Sequence, residues 1–79
     1  MKIEQLELKI FRSLDDLKNY IKKNFKVVEM GVIEQDDDDD YDLKIDELAF
    51  FDEEYDYSVY YMSDKSGRIT VTETSKTPY

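Results

Sequence analysis

Thirteen carboxylates lie between Glu34 and Asp56, against a single basic residue, Lys44. Carboxylates crowded in this way can ligate a hard cation, work as a paired acid and base, or meet arginine and lysine in charge-assisted pairs. For a cation, Asp36, Asp38, Asp40, Asp42 and Glu47 stand at positions 1, 3, 5, 7 and 12 of a twelve-residue window. Those are the ligand offsets of the calcium loop that joins two helices. Two features weaken the match. Tyr41 stands where that loop needs glycine for its sharp turn, and the preceding segment reads as a strand. Five consecutive aspartates generate such spacing readily, so loose association of Ca or Mg is expected, with a specific site as the alternative.

Acid–base and nucleophilic chemistry fit poorly. The chain contains neither histidine nor cysteine, which removes the usual general base near neutrality, thiolate nucleophiles and the commonest metal ligands. Ser13, Ser58, Ser63 and Ser66 therefore have no imidazole to activate them, and the two glycines make no phosphate-cradling motif. Two carboxylates can cleave a glycoside, but only within a sugar-sized cleft that 79 residues can scarcely enclose. The expectation is a non-enzymatic protein with no cofactor.

Pairing with a cationic partner is the reading that remains. Residues 1–30 carry seven basic and five acidic side chains, whereas residues 31–79 carry four and fifteen, within a total charge of −9. Modest charge suffices for solubility, and concentrating it costs self-repulsion. Extended, the 23 residues from Glu34 to Asp56 span about 75 Å, or one net negative charge per roughly 6 Å. Folded into neighbouring strands, that density moves toward that of duplex DNA, about one charge per 1.7 Å.

The expectation is thus a protein-binding module whose acidic face binds a basic, nucleic-acid-binding partner as a charge mimic or inhibitor. Its contact residues would be Asp36, Asp37, Asp38, Asp39, Asp40, Asp42, Asp46, Asp52, Glu53, Glu54, Asp56 and Tyr60. In size and charge the chain is similar to small phage-encoded inhibitors of nucleoproteins, a likeness of type without a shared motif. The alternative is a small Ca- or Mg-associating or structural protein whose acidity serves mainly solubility. Such charge should repel nucleic acid and anionic membranes. Apolar runs are too short to cross a bilayer, and Glu4 and Glu7 interrupt any secretory leader. A cytoplasmic protein, monomer or homodimer, is expected.

The elements that must position these groups follow from periodicity. Leu6, Leu8 and Ile10 alternate as in a strand over residues 3–11, although Ile3, Leu6, Ile10, Leu14 and Leu17 also make a helical stripe. Ser13, Asp15 and Asp16 mark a helix start, and Leu14, Leu17, Ile21 and Phe25 supply its apolar face. That predicts a helix over 14–24, with Lys18, Lys22 and Lys23 outward. Alternation predicts a strand over 26–35, with a bulge or close approach at Gly31, then an exposed aspartate loop at 36–40. Tyr41, Leu43 and Ile45 resume a strand, and residues 46–51 are either a helical turn or its continuation.

Tyr55, Tyr57, Val59 and Tyr61 form one face of a further strand, leaving Tyr60 and Met62 on the other. Residues 63–67 have hairpin chemistry, and Ile69 and Val71 point inward from a last strand ending at 74. Residues 75–79 read as a flexible tail. The fold class is α+β in one domain over 1–74. One amphipathic helix packs on a mainly antiparallel four- or five-stranded sheet, in the order β-α-β-β-β-β.

Overall fold

The structure is a computed structural model, and it describes residues 1–33 and 44–78. The strands are β1 (Ile10–Phe11), β2 (Glu29–Ile33), β3 (Lys44–Phe51), β4 (Tyr55–Ser63) and β5 (Ile69–Pro78), and the helix is α1 (Leu14–Asn24). They form one antiparallel sheet ordered β1-β5-β4-β3-β2. This is the expected α+β fold, with one helix on a five-stranded sheet in β-α-β-β-β-β order. The expected aspartate loop at 36–40 lies outside the described residues.

Strand alternation places Leu48 and Phe50 of β3, Tyr57, Val59 and Tyr61 of β4, and Ile69 and Val71 of β5 on one face, all buried. Leu17 and Ile21 of α1 and Ile3 and Leu6 of the N-terminus complete the same core. Seven of these residues are at most 2% exposed by side chain, so the layer is dry and close-packed. At one end Phe50 stacks on Tyr57 with centroids 4.7 Å apart, and Phe25 meets both rings at 5.4 Å. α1 begins where Ser13 Oγ accepts the Asp16 N–H and ends where the Phe25 N–H donates to the Ile21 carbonyl.

The expected strand over 3–11 is shorter. Ile3–Leu6 is a 3₁₀ turn, whose three-residue period puts Ile3 and Leu6 together in the core. Leu8 then adopts φ +67° and is 79% exposed. This left-handed residue breaks the alternation and limits the β1–β5 ladder to Ile10 and Phe11, while the Leu8 N–H and the Lys9 carbonyl still bond to Val71 of β5.

Neither the bulge nor the close approach expected at Gly31 is there, and a β-carbon added at that position would meet nothing within 4 Å. Gly31 pairs in unbroken register with Ala49. The irregularity lies instead between β4 and β5, where Tyr60 pairs with Glu73 but Tyr61 with Val71, leaving Thr72 as the extra residue. The Thr72 hydroxyl donates to the Tyr60 carbonyl at 3.2 Å and pins the bulge.

Residues 46–51 are strand, with Ile45 51% exposed and the even positions turned inward. The expected flexible tail is also strand through Pro78, because β4 reaches back to Tyr55 and offers residues 75–78 a partner. The hairpin at 64–68 is organised by Asp64, whose Oδ1 accepts the N–H groups of Ser66 and Arg68 and the Ser66 hydroxyl. Gly67 closes it at φ +88°, where a side chain would be strained.

β1 covers only the start of β5, so the remainder of β5 presents an open edge. Glu7 caps part of it, its Oε2 accepting the Thr74 N–H at 3.1 Å and the Thr74 hydroxyl at 2.8 Å. By alternation the next edge-facing positions are Lys76, charged, and Pro78, which has no N–H to offer. Replacing Glu7 with alanine should cost about 1 kcal/mol in urea denaturation, typical of a hydrogen bond to a charged acceptor at a partly solvated site. Amide exchange at Thr74 should accelerate in the same variant.

Candidate partner-binding face

With α1 and the N-terminal turn on one side of the sheet, no described element packs on the other. The register lays out this open face in four rows. The first runs Ile10, Thr70, Met62, Ile45, and the second Glu73, Tyr60, Glu47, Ile33. The third runs Ser75, Ser58, Ala49, Gly31, and the fourth Thr77, Asp56, Phe51, Glu29. Four carboxylates, Glu29, Glu47, Asp56 and Glu73, therefore share the face. Among the described strand residues no lysine or arginine does. Lys18, Lys22 and Lys23 ride on α1, across the sheet from this face.

Tyr60 is held between Glu73 and Glu47. Its hydroxyl pKa is raised above the usual tyrosine value, first by the negative charge of Glu47, then by desolvation, a hydrogen bond with Glu47, and the charge of Glu73. Glu47 Oε2 also accepts the Ser58 hydroxyl at 3.2 Å, which fixes the carboxylate over the face. The third row consists of small residues, and three of them, Gly31, Ala49 and Ser58, line a depression of about 290 Å³ bordered by Glu29, Phe51 and Asp56.

The acidic turn between β3 and β4 adjoins the fourth row. There Asp52 Oδ1 accepts the N–H groups of Glu54 and Tyr55, each at 2.8 Å, and Oδ2 accepts the Tyr57 hydroxyl at 3.1 Å. The Glu54 N–H is the main reason the Asp52 carboxyl lies below its ordinary value, with Tyr55 and Tyr57 adding to it against some desolvation. Burial, with the Asp52 hydrogen bond and charge, pushes the Tyr57 hydroxyl up to about 12.

The contact residues expected from sequence are thus dispersed. Asp56 and Tyr60 lie on the open face, and Glu53 and Glu54 are exposed on the adjoining turn. Asp52 is occupied in shaping that turn. Asp46 is 7% exposed on the inner face, opposite Tyr61 in register, because its even position in β3 turns it inward. Asp36, Asp37, Asp38, Asp39, Asp40 and Asp42 lie outside the described residues. So do four of the five residues of the calcium-loop window, while the fifth, Glu47, bonds to Ser58 on the open face. Among the described residues no group of three acidic side chains is placed to hold a metal. No described helix is long and apolar enough to cross a membrane.

Glu29 and Glu73 were missed in sequence. Their signal was strand parity: Glu29 alternates with Met30 and Val32, but Glu73 falls on this side only because of the bulge. No family model, curated protein or solved structure matches the chain, so the face is interpreted from its own chemistry.

Two titrations check this geometry. In Glu47→Gln the Tyr60 hydroxyl should titrate at lower pH than in the wild type, measured by NMR of ring-labelled tyrosine. Stability should change with pH at both extremes. The lowered Asp52 pKa stabilises the fold above the unfolded value near 3.8, a contribution lost as pH falls through the folded value. The raised Tyr57 pKa stabilises it below about 10, a contribution lost as pH rises through about 12. Tyr57→Phe should remove that alkaline loss, lower neutral stability by about 1–2 kcal/mol and weaken the Asp52 contribution, as read by denaturation across pH.

Proposed function

We propose that this protein is a non-enzymatic binding module whose open sheet face docks on a basic protein surface that otherwise holds nucleic acid, acting as a charge mimic and inhibitor. The observation that carries the reading is the segregation of charge: four carboxylates and no cation at the outward positions of the described strands, with the helix lysines on the far side. Carboxylates fixed on strands lose little freedom on binding. Glu47 and Glu73 flank one strand, as do Asp56 and Glu29, giving about 10 Å between acids within a row. Arginine and lysine side chains meeting them form charge-assisted pairs, and the field of the whole face speeds encounter.

An acidic face kept only for solubility has no use for large apolar side chains. Here Ile10 is 63% exposed, Ile45 51% and Ile33 49%, beside Tyr60 and Met62. Such a mixture suits an interface, where apolar contact supplies affinity and charge supplies orientation.

The test is affinity capture from a cell lysate at low and high salt, with the bound proteins identified. The bait is compared with the variant carrying Glu29→Gln, Glu47→Gln, Asp56→Asn and Glu73→Gln. A basic nucleic-acid-binding protein should be recovered at low salt, reduced at high salt and lost with the variant, and nucleic acid should compete for it. Recovery of the same proteins by the variant, or of no basic protein by the wild type, would end this reading.

A further inference from the structure

We infer that the basic partner engages this face through one extended, arginine-bearing segment laid across the strands in the trough of small residues. This rests on the proposed function and specifies the form in which the positive charge arrives. The trough floor is the cross-strand row Gly31, Ala49, Ser58, Ser75. A β-carbon added at Gly31 would meet nothing within 4 Å, so the trough is open at its β2 end, while Glu47 leans in from its bank to bond Ser58. Each bank carries two of the four acids, Glu47 and Glu73 on one side and Glu29 and Asp56 on the other.

Scale selects the occupant. The two banks stand four residues apart along each strand, about 13 Å between backbones, and their side chains narrow that gap. An α-helix with side chains is about 10–12 Å across and would ride above the banks. An extended chain fits between them and sends alternate side chains to opposite sides, where the carboxylates stand. Charge complementarity fixes the sign of those side chains. Arginine fits better than lysine because Phe51 and Tyr60 stand beside the acids, and a guanidinium can stack on a ring while pairing with a carboxylate.

The probes are fluorescent oligo-arginine and oligo-lysine peptides of about ten residues, long enough at ~3.3 Å per residue to cross the sheet. Binding is measured by anisotropy at low salt. Wild-type protein should bind oligo-arginine more tightly than oligo-lysine, with amide shifts concentrated at Gly31, Ala49 and Ser58. The pair Gly31→Val and Ala49→Phe fills the trough without altering a charge, on a face where added bulk meets solvent. It should weaken oligo-arginine at least about ten-fold, or ~1.4 kcal/mol, with the circular dichroism spectrum and melting transition retained. If the filled variant loses its fold, Ala49→Val alone serves, and the shift map decides.

Unchanged affinity in a folded trough variant, or shifts confined to the turn at 52–54, would overturn this inference while leaving the acidic-face reading intact. Failure of the four-amide variant to weaken either peptide would instead overturn the parent reading.

Discussion

One eleven-residue helix must seal a five-stranded sheet, and that disproportion governs the rest of the molecule. α1 is about 16 Å long, close to the ~19 Å width of five strands, so with the N-terminal 3₁₀ turn it suffices for a single face. Leu17, Ile21, Ile3 and Leu6 close over Leu48, Val59, Tyr61 and Val71, and the described residues supply no second apolar element for the other side. Among the described residues nothing covers the opposite face, which is left for water or a partner. A small domain cannot leave a broad apolar sheet bare without aggregating. Carboxylates on that face answer the problem by repulsion between copies, and the same groups are what a cationic surface would recognise.

The core face was legible in the sequence where one period dominated. Tyr55, Tyr57, Val59 and Tyr61 alternate without a competitor, and α1 has both a cap and a stripe. Legibility failed where a backbone irregularity overrode the period. Leu6, Leu8 and Ile10 look like a strand face, yet a left-handed Leu8 breaks them into a turn and a two-residue strand. Tyr41, Leu43 and Ile45 suggest odd positions inward, but β3 buries the even ones, Asp46 included. Local pattern cannot settle parity there, since pairing with both β2 and β4 decides which side of β3 meets the helix.

Site legibility followed a different rule. Density of charge along the chain drew attention to Glu34–Asp56, but density in sequence is not density on a surface. Strands interleave distant segments, so Glu29, Glu47, Asp56 and Glu73 become neighbours while Asp46, only one residue from Glu47, points the opposite way. Asp52 shows the other confusion: it resembles its acidic neighbours in sequence, but it spends its lone pairs on the turn. A carboxylate committed to backbone donors has less to offer a partner than Glu47, which is met only by the side-chain hydroxyls of Ser58 and Tyr60.

The unpaired Thr72 acts as a phase shift in the final strand. Upstream of it, odd residues face the helix; downstream, even ones do. Were Thr72 instead paired with Tyr60 in a regular ladder, Glu73 would fall opposite Val59 beneath the helix and Thr74 would leave its contact with Glu7. One residue of backbone length thus assigns an acid to water instead of the interior, and it does so with no change in amino-acid composition.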